Sequence, residues 1–202
     1  TLIHGLNYLY EKTKCTNLSL AGGVALNCVA NGKILKKTKF KKISIQPAAG
    51  DAGTSLGSAL YWYNSIRKKS SKNKGLPIAT NIYSGPEFSN QSIVKELKKN
   101  NLKYKISPTI YEEVSDLLKK QKIIGWFNGK MEFGPRALGN RSILTSPYPA
   151  NMKDVLNLRV KKRETFRPFA PAVLEKYAEE FFEYIHESPH MLFAMKVKKN
   201  MI

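Results

Sequence analysis

Between Gly129 and Ser142 the chain reads G-K-M-E-F-G-P-R-A-L-G-N-R-S, which sets Lys130, Glu132, Arg136, Asn140 and Arg141 among three glycines and a proline. A second basic stretch follows, Asn157-Leu-Arg-Val-Lys-Lys-Arg-Glu-Thr-Phe-Arg-Pro-Phe-Ala-Pro171, so five arginines (136, 141, 159, 163, 167) are concentrated with several lysines. Guanidinium forks and ammonium groups at this density suit phosphate or carboxylate recognition. Fixed cations in such a loop can also neutralise charge that develops on a transferred phosphoryl or adenylyl group. The competing reading is a salt-bridge network in which Glu132 and Glu164 pair with arginines, although surface pairs need no glycine-lined loop.

A second constellation joins Gly22-Gly23-Val24-Ala25-Leu26-Asn27 to Gly50-Asp51-Ala52-Gly53. Glycines between a strand and a helix N-terminus let a phosphate or sugar approach backbone amides, helped by the helix dipole. Asn27 can hydrogen-bond a sugar or base edge. Asp51, a carboxylate among Ala and Gly, is placed to hold a metal ion or a metal-bound nucleotide. Tight turns use glycine for steric reasons too, and an aspartate at this position also serves as a helix cap. The histidines His4, His186 and His190 offer no pair that completes a metal site with Asp51.

These residues need elements to position them. The spacing predicts an amphipathic helix over residues 1–14, a strand at Asn17–Ala21 and a helical segment from Val24 to Lys37. A strand at Lys42–Gln46 and a helix from Ser55 to Lys68, with Thr54 as its N-cap, complete a strand–glycine loop–helix unit repeated twice. From Lys69 to Ser84 the composition turns to Lys, Ser, Asn, Gly and Pro, which marks a boundary between domains 1–82 and 83–202. Beyond it the pattern predicts helices at Gln91–Asn100, Tyr111–Gln121, Met152–Arg159 and Ala178–Ile185. Strands are predicted at Leu102–Ile106, Lys122–Asn128, Ser142–Thr145, Ala170–Leu174 and Met191–Val197. The strand that ends at Asn128 feeds straight into the basic loop, the place where open α/β folds put ligand sites.

The chain has 202 residues, 42% hydrophobic, which excludes a disordered polymer and allows one large domain or two small ones. Its 34 Lys+Arg against 15 Asp+Glu give a net charge of +19, which fits an anionic partner or simply lysine-rich solvated faces. Two cysteines, Cys15 and Cys28, form no C-x-x-C pair and fit a reduced cytoplasmic protein. No apolar run approaches the roughly 20 residues of a membrane helix, and no signal peptide opens the sequence. The first residues enter at once on a helical pattern and the last stop in a strand-like one, as in an excerpt from a longer chain.

Four stretches resemble the O-carbamoyltransferase family of nodulation-factor and cephem or aminoglycoside antibiotic biosynthesis. They are Leu20-AGGVALN-Cys28, Gln46-PAAGDAGTSLGSAL-Tyr61, Gly125-WFNGKMEFGPRALGNRS-Ile143 and Arg163-ETFRPFAPAVLE-Glu175. The resemblance implies an α/β fold in two parts. Residues 1–82 would be the C-terminal portion of a carbamoyl-transfer domain similar to the actin/heat-shock/sugar-kinase superfamily. Residues 83–202 would be a YrdC-like α/β domain, truncated at its C-terminus. It implies ATP and a divalent metal, iron or similar, as cofactors and carbamoyl phosphate as donor. The YrdC-like part would form carbamoyl-adenylate, and the other would pass the carbamoyl group to a small-molecule or glycan hydroxyl.

Carried over by position, Asp51 matches a metal ligand whose two partners, the family's H-x-x-x-H pair, are missing here. Gly22, Gly23 and Asn27 match the nucleotide loop. Lys130, Arg136, Arg141, Arg163 and Arg167 become candidate catalytic residues, with Asn140 and Ser142 on the bound nucleotide. A cytoplasmic enzyme without membrane or nucleic-acid partners is expected, with a homodimer left open. Two alternatives stand beside it: a tRNA-binding or threonylcarbamoyl-tRNA-type protein, motivated by the charge, and an inactive truncated product.

Overall fold

The computed structural model describes residues 1–66, 81–183 and 186–201. In chain order these form α1 (Leu2–Thr13), β1 (Asn17–Leu20), α2 (Cys28–Lys37), β2 (Lys42–Ile45), α3 (Thr54–Ile66), α4 (Asn90–Lys99), α5 (Ile110–Lys119), β3 (Ile124–Phe127), β4 (Arg141–Leu144), α6 (Met152–Val155) and α7 (Ala178–Phe181). Single 3-10 turns stand at Gly23–Leu26 and Asp51–Gly53, and α6 runs on as a π-helix over Leu156–Lys161. The result is a mixed α/β architecture with two small sheets. Among the described residues no helix is long and apolar enough to cross a membrane. The chain divides into two compact units: Thr1–Ile82 with Phe133–Arg136 and Val173–Ile202, and Tyr83–Glu132 with Ala137–Ala172.

The first unit is built on a β–α–β crossover. β1 and β2 pair in parallel, Asn17 opposite Lys42 through Leu20 opposite Ile45, and α2 makes the connection. Parallel neighbours require such a crossover, because a two-residue hairpin joins only antiparallel strands. The apolar face of α1 closes over this unit. Leu6 packs with Leu18, Ile34 and Phe40, flanked by Leu2, Ile3, Tyr10, Leu20 and Ile43. Tyr10 meets Phe40 edge-on, with ring centroids 5.7 Å apart. Burying each of these four core side chains is worth roughly 1.5–3 kcal/mol.

The C-terminal segment docks on α2 in the same unit. The Ala194 N–H donates to the Cys28 carbonyl at 3.0 Å, and the buried Asn31 donates Nδ2 to the carbonyls of Ala25 and Leu192 at 2.7 and 3.0 Å. A Cβ at Gly32 would run into the Ala194 carbonyl, so α2 needs glycine there.

The second unit pairs β3 and β4 antiparallel, with Ile124 opposite Leu144, Trp126 opposite Ser142 and Phe127 opposite Arg141. The long basic loop is therefore the connection of a two-stranded ribbon. Ser89 caps α4 by accepting the Ser92 N–H at 3.2 Å. Tyr111 of α5 lies against Trp126, and Phe88 against Phe127, each at 6.0 Å between centroids.

Several predicted elements take another form. The helical segment from Val24 is broken at Asn27, whose ψ of 89° stops the 3-10 turn before α2 begins. Residues 102–106 form no strand: the Leu102 N–H closes the end of α4 on the Leu97 carbonyl, and Ile106 is 81% exposed. Residues 170–174 run without a ladder partner among the described residues, and Leu174 is exposed. At 191–197 a left-handed Met191 and the bond from Ala194 to α2 leave one antiparallel bridge, Phe182 with Val197. The helix expected to reach Ile185 ends at Phe181, while residues 67–68 of the helix expected to reach Lys68, and residues 184–185, lie outside the described residues. Most of the composition shift at 69–84 lies outside the described residues.

Candidate functional site

In the first unit three segments that are distant in sequence meet at the carboxyl ends of β1 and β2. The loop after β1 begins with Gly22, at φ 91° and ψ 166°, a region that only glycine occupies without strain. Its N–H donates to the Ala49 carbonyl in the loop after β2 at 2.7 Å. The two loops are thus one structure, and Gly50 stands close enough that a Cβ there would touch Leu26 and Gly23. The third segment is 133–136, held by the Phe133 N–H on the Ile82 carbonyl at 2.7 Å. Gly134, at φ 123°, lies so close that a Cβ would come within 3.2 Å of the Pro47 carbonyl. Arg136 then reaches the first loop and donates Nη2 to the Leu26 carbonyl at 3.2 Å. Gly22, Gly23, Asp51 and Arg136 therefore share one site of the kind open α/β folds use, outside the ends of parallel strands.

The polar groups of that site divide into holders and free groups. Asn27 accepts the Ala30 N–H on Oδ1 at 3.0 Å, so its side chain caps α2. Asp51 opens its own 3-10 turn, its main-chain carbonyl accepts Thr54 Oγ1 at 2.6 Å, and its residue surface is exposed. Gly23 and Val24 stand at the start of a 3-10 turn, and their N–H groups find no acceptor among the described residues. Around Gly23 a Cβ would meet nothing within 4 Å, so the backbone faces open space.

Asp51 is a donor that suits a hard divalent cation, which takes one or two carboxylates and fills the remainder of its shell with water or substrate oxygens. Among the described residues no three His, Cys, Asp or Glu side chains converge. Among the described residues, Asp51 therefore stands as a single candidate carboxylate and not as part of a closed metal site.

The second unit carries the rest of the basic set. Glu132 is 6% exposed, and its Oε1 accepts the N–H groups of Leu138, Asn140 and Arg141 at 2.7, 2.8 and 3.2 Å. Burial pushes its carboxyl up, but these backbone donors outweigh burial and hold it below the ordinary value. Arg141 is half-buried with its guanidinium 3.6 Å from the Phe127 ring centre. Nη1 donates to the Asn128 and Asn140 carbonyls at 2.7 and 3.0 Å, and Nη2 to those of Pro86 and Gly129 at 3.3 and 3.2 Å. Asn140 adds Nδ2 to the Lys130 carbonyl at 2.7 Å, and Ser142 Oγ accepts the Gly139 N–H at 3.0 Å. Lys130 itself is exposed.

The second basic stretch is organised by Asn157, which is fully buried in the π-helical turn. Its Nδ2 donates to the carbonyls of Thr165 and Arg167 at 3.2 and 2.9 Å, while its Oδ1 accepts Arg163 Nε at 2.7 Å. Arg163 also lies over Phe169 at 4.8 Å. Arg167 is exposed and pairs with Glu164 at 2.9 Å, the one arginine–carboxylate pair of the expected network that forms among the described residues. Glu164 is held below its usual value first by its own backbone N–H and then by Arg167.

Of the sequence-derived candidates, Gly22, Gly23, Asn27, Asp51 and Arg136 fall in the first unit, and Lys130, Asn140, Arg141, Ser142, Arg163 and Arg167 in the second. Two residues that shape the basic loops carried no functional signal in the sequence. Asn157 is a lone amide, and Glu132 reads as an ion-pair partner until its burial is known.

The family profile described as carbamoyltransferase N-terminus matches residues 1–60, and that described as carbamoyltransferase C-terminus matches residues 115–202. An uncharacterised protein of Synechocystis is 44% identical over 200 residues, covering 96% of this chain and 32% of that protein. Nodulation protein NolO of Bradyrhizobium diazoefficiens is 42% identical over 205 residues, covering 98% of this chain and 36% of that protein. A 3'-hydroxymethylcephem-O-carbamoyltransferase of Streptomyces clavuligerus is 32% identical over 190 residues, covering 94% and 34%. The chain thus spans about a third of the length of the curated relatives it matches.

Proposed function

The chain belongs to the carbamoyltransferase family, and on that premise we propose that it is a portion of an ATP-dependent O-carbamoyltransferase. ATP and carbamoyl phosphate give carbamoyl-adenylate, with one water consumed and phosphate and pyrophosphate released. A substrate hydroxyl oxygen then bonds to the carbamoyl carbon, the bond to AMP breaks, and the hydroxyl proton is lost. The acceptor is a hydroxyl on a small molecule or glycan, the class to which the hydroxymethylcephem named for one relative belongs.

The observation that carries this reading is the meeting of Gly22, Gly23, Asp51 and Arg136 at the ends of two parallel strands. There the free N–H groups of Gly23 and Val24 receive a phosphate or ribose oxygen of the adenylate. Arg136 offsets the charge that AMP gains on leaving. Asp51 would supply a carboxylate ligand to a divalent cation, which when bound would polarise the carbamoyl oxygen. In the second unit, adenylate formation falls to the basic set. Lys130 and Arg167 meet phosphate oxygens, while Arg141 and Arg163 hold the loops that present them. Asn140 and Ser142 line the same loop. An actin/sugar-kinase-like identity for the first unit and a YrdC-like identity for the second complete the proposal, as does a cytoplasmic location.

The test is ATP–pyrophosphate exchange dependent on carbamoyl phosphate in the full-length protein, together with carbamoyl transfer to an acceptor alcohol. Exchange in the parent is expected. Arg136→Ala is expected to lose transfer while keeping exchange. Loss of exchange with transfer from synthetic carbamoyl-adenylate intact would move Arg136 to the other half-reaction. No carbamoyl-phosphate-dependent exchange in the parent would end the reading. Equal metal content in the parent and Asp51→Ala would remove the ligand role of Asp51.

A further inference from the structure

Glycine-rich loops after strands bind phosphate when their successive N–H groups point into a shared concavity. The loop 129–142 has such a concavity, formed by the N–H groups of Leu138, Asn140 and Arg141, and it is already filled from within by the Glu132 carboxylate. We infer that Glu132 is a positioning residue: an internal anion that occupies the amide nest and sets the loop geometry in which the basic side chains meet their ligand. This rests on the adenylate-forming role proposed for the second unit.

Three observations support it. Glu132 is 94% buried by area, since only 6% is exposed, yet among the described residues no Lys, Arg or His pairs with it. A buried carboxylate without a cationic partner is costly unless several donors satisfy it, and here backbone amides do so. Those amides flank the residues of interest: Asn140 in turn fixes the Lys130 carbonyl at 2.7 Å, and Arg141 begins β4. Arg141 supplies the opposite charge to the same loop, gathering four carbonyls as Glu132 gathers three amides. The loop is thus cross-linked from within by one anion and one cation. These three amides are therefore engaged by Glu132 and are not the groups that meet a phosphate at this loop.

The experiment uses the full-length protein and the variants Glu132→Ala, Glu132→Gln and Glu132→Asp, with sodium formate as a replacement anion and formamide as the neutral control. Amide hydrogen exchange at Leu138, Asn140 and Arg141 is slow in the parent, fast in Glu132→Ala and slowed again by formate but not formamide. Carbamoyl-phosphate-dependent exchange falls about ten- to a hundredfold in Glu132→Ala, the scale of a displaced binding group. It recovers at least partly with formate, and Glu132→Gln, which keeps an acceptor oxygen, retains more than Ala. Unchanged amide protection in Glu132→Ala would overturn the nest assignment. Restored protection without restored activity would make Glu132 structural only. If Glu132→Ala fails to fold, faster amide exchange in Glu132→Asp, one methylene short, supports the nest and parental rates overturn it. A parent with no exchange activity would sink the functional reading, while the amide measurements still judge Glu132.

Discussion

The Gly22 N–H donates to the Ala49 carbonyl at 2.7 Å, which ties the loop after β1 to the loop after β2. The bond requires the unusual backbone of Gly22, with φ 91° and ψ 166°. Gly22→Ala is expected to lower the free energy of unfolding by roughly 1–3 kcal/mol, the cost of a side chain in that region. Gly23→Ala, with open space around its added Cβ, should leave unfolding within about 1 kcal/mol of the parent and weaken nucleotide binding instead. Urea unfolding and titration with ATP separate the two. Equal destabilisation by both would remove the distinction between a glycine needed for its backbone and one needed for approach.

Asn27 offers a second separation of structure from binding. Because its Oδ1 accepts the Ala30 N–H at 3.0 Å, Asn27→Ala should cost about 0.5–2 kcal/mol as a lost helix cap. Asn27→Asp and Asn27→Ser should restore most of that stability. If Asp restores stability but not nucleotide binding, Nδ2 contacts the ligand. If it restores both, Asn27 is a cap alone.

The sequence made the β–α–β crossover legible, because Leu18 and Leu20, then Ile43 and Ile45, alternate on short strands separated by a helical segment. It also singled out Gly22, Gly23 and Asp51, because glycines between a strand and a helix let a ligand approach the backbone as well as serving tight turns. Arg136 was legible as a cation but not as a member of that site. Its position depends on Gly134 approaching Pro47, a contact between residues far apart in the chain. The failed strands share one cause. Alternation at Leu102, Tyr104 and Ile106 marks an extended segment, but a strand also needs a neighbour with free backbone groups, and periodicity carries no information about neighbours. Glu132 was misread for a related reason: its partners are backbone amides, which every residue has and no motif displays.

Arg141 is expected to resist even a conservative exchange. Arg141→Lys keeps the charge but cannot fork to four carbonyls or stack on Phe127 at 3.6 Å. Loss of charge-assisted bonds at a half-buried site is worth roughly 1.5–3 kcal/mol. The readout is urea unfolding followed by tryptophan fluorescence in a Trp62→Phe background, which leaves the signal of Trp126, opposite Ser142 in the β3–β4 register. A lysine variant as stable as the parent would show that charge alone, and not the fork, holds the loop.

His190 gives the first unit a pH dependence. It lines a cavity of about 220 Å³ with Ile43, Ile45, Leu192 and Phe193, where Glu187 is the nearby acidic side chain. Burial holds the imidazole pKa below its ordinary value. The unfolded chain therefore binds this proton more readily than the folded one, and stability rises with pH through the window between the lowered value and the usual one near 6.5. The contribution is complete above that usual value and is lost as the pH falls through the lowered one. Chemical denaturation midpoints measured between about pH 7 and pH 5 should decline in the parent and decline less in His190→Gln. If the two slopes coincide, the acid sensitivity of the first unit arises from other groups and the imidazole is free to charge in place.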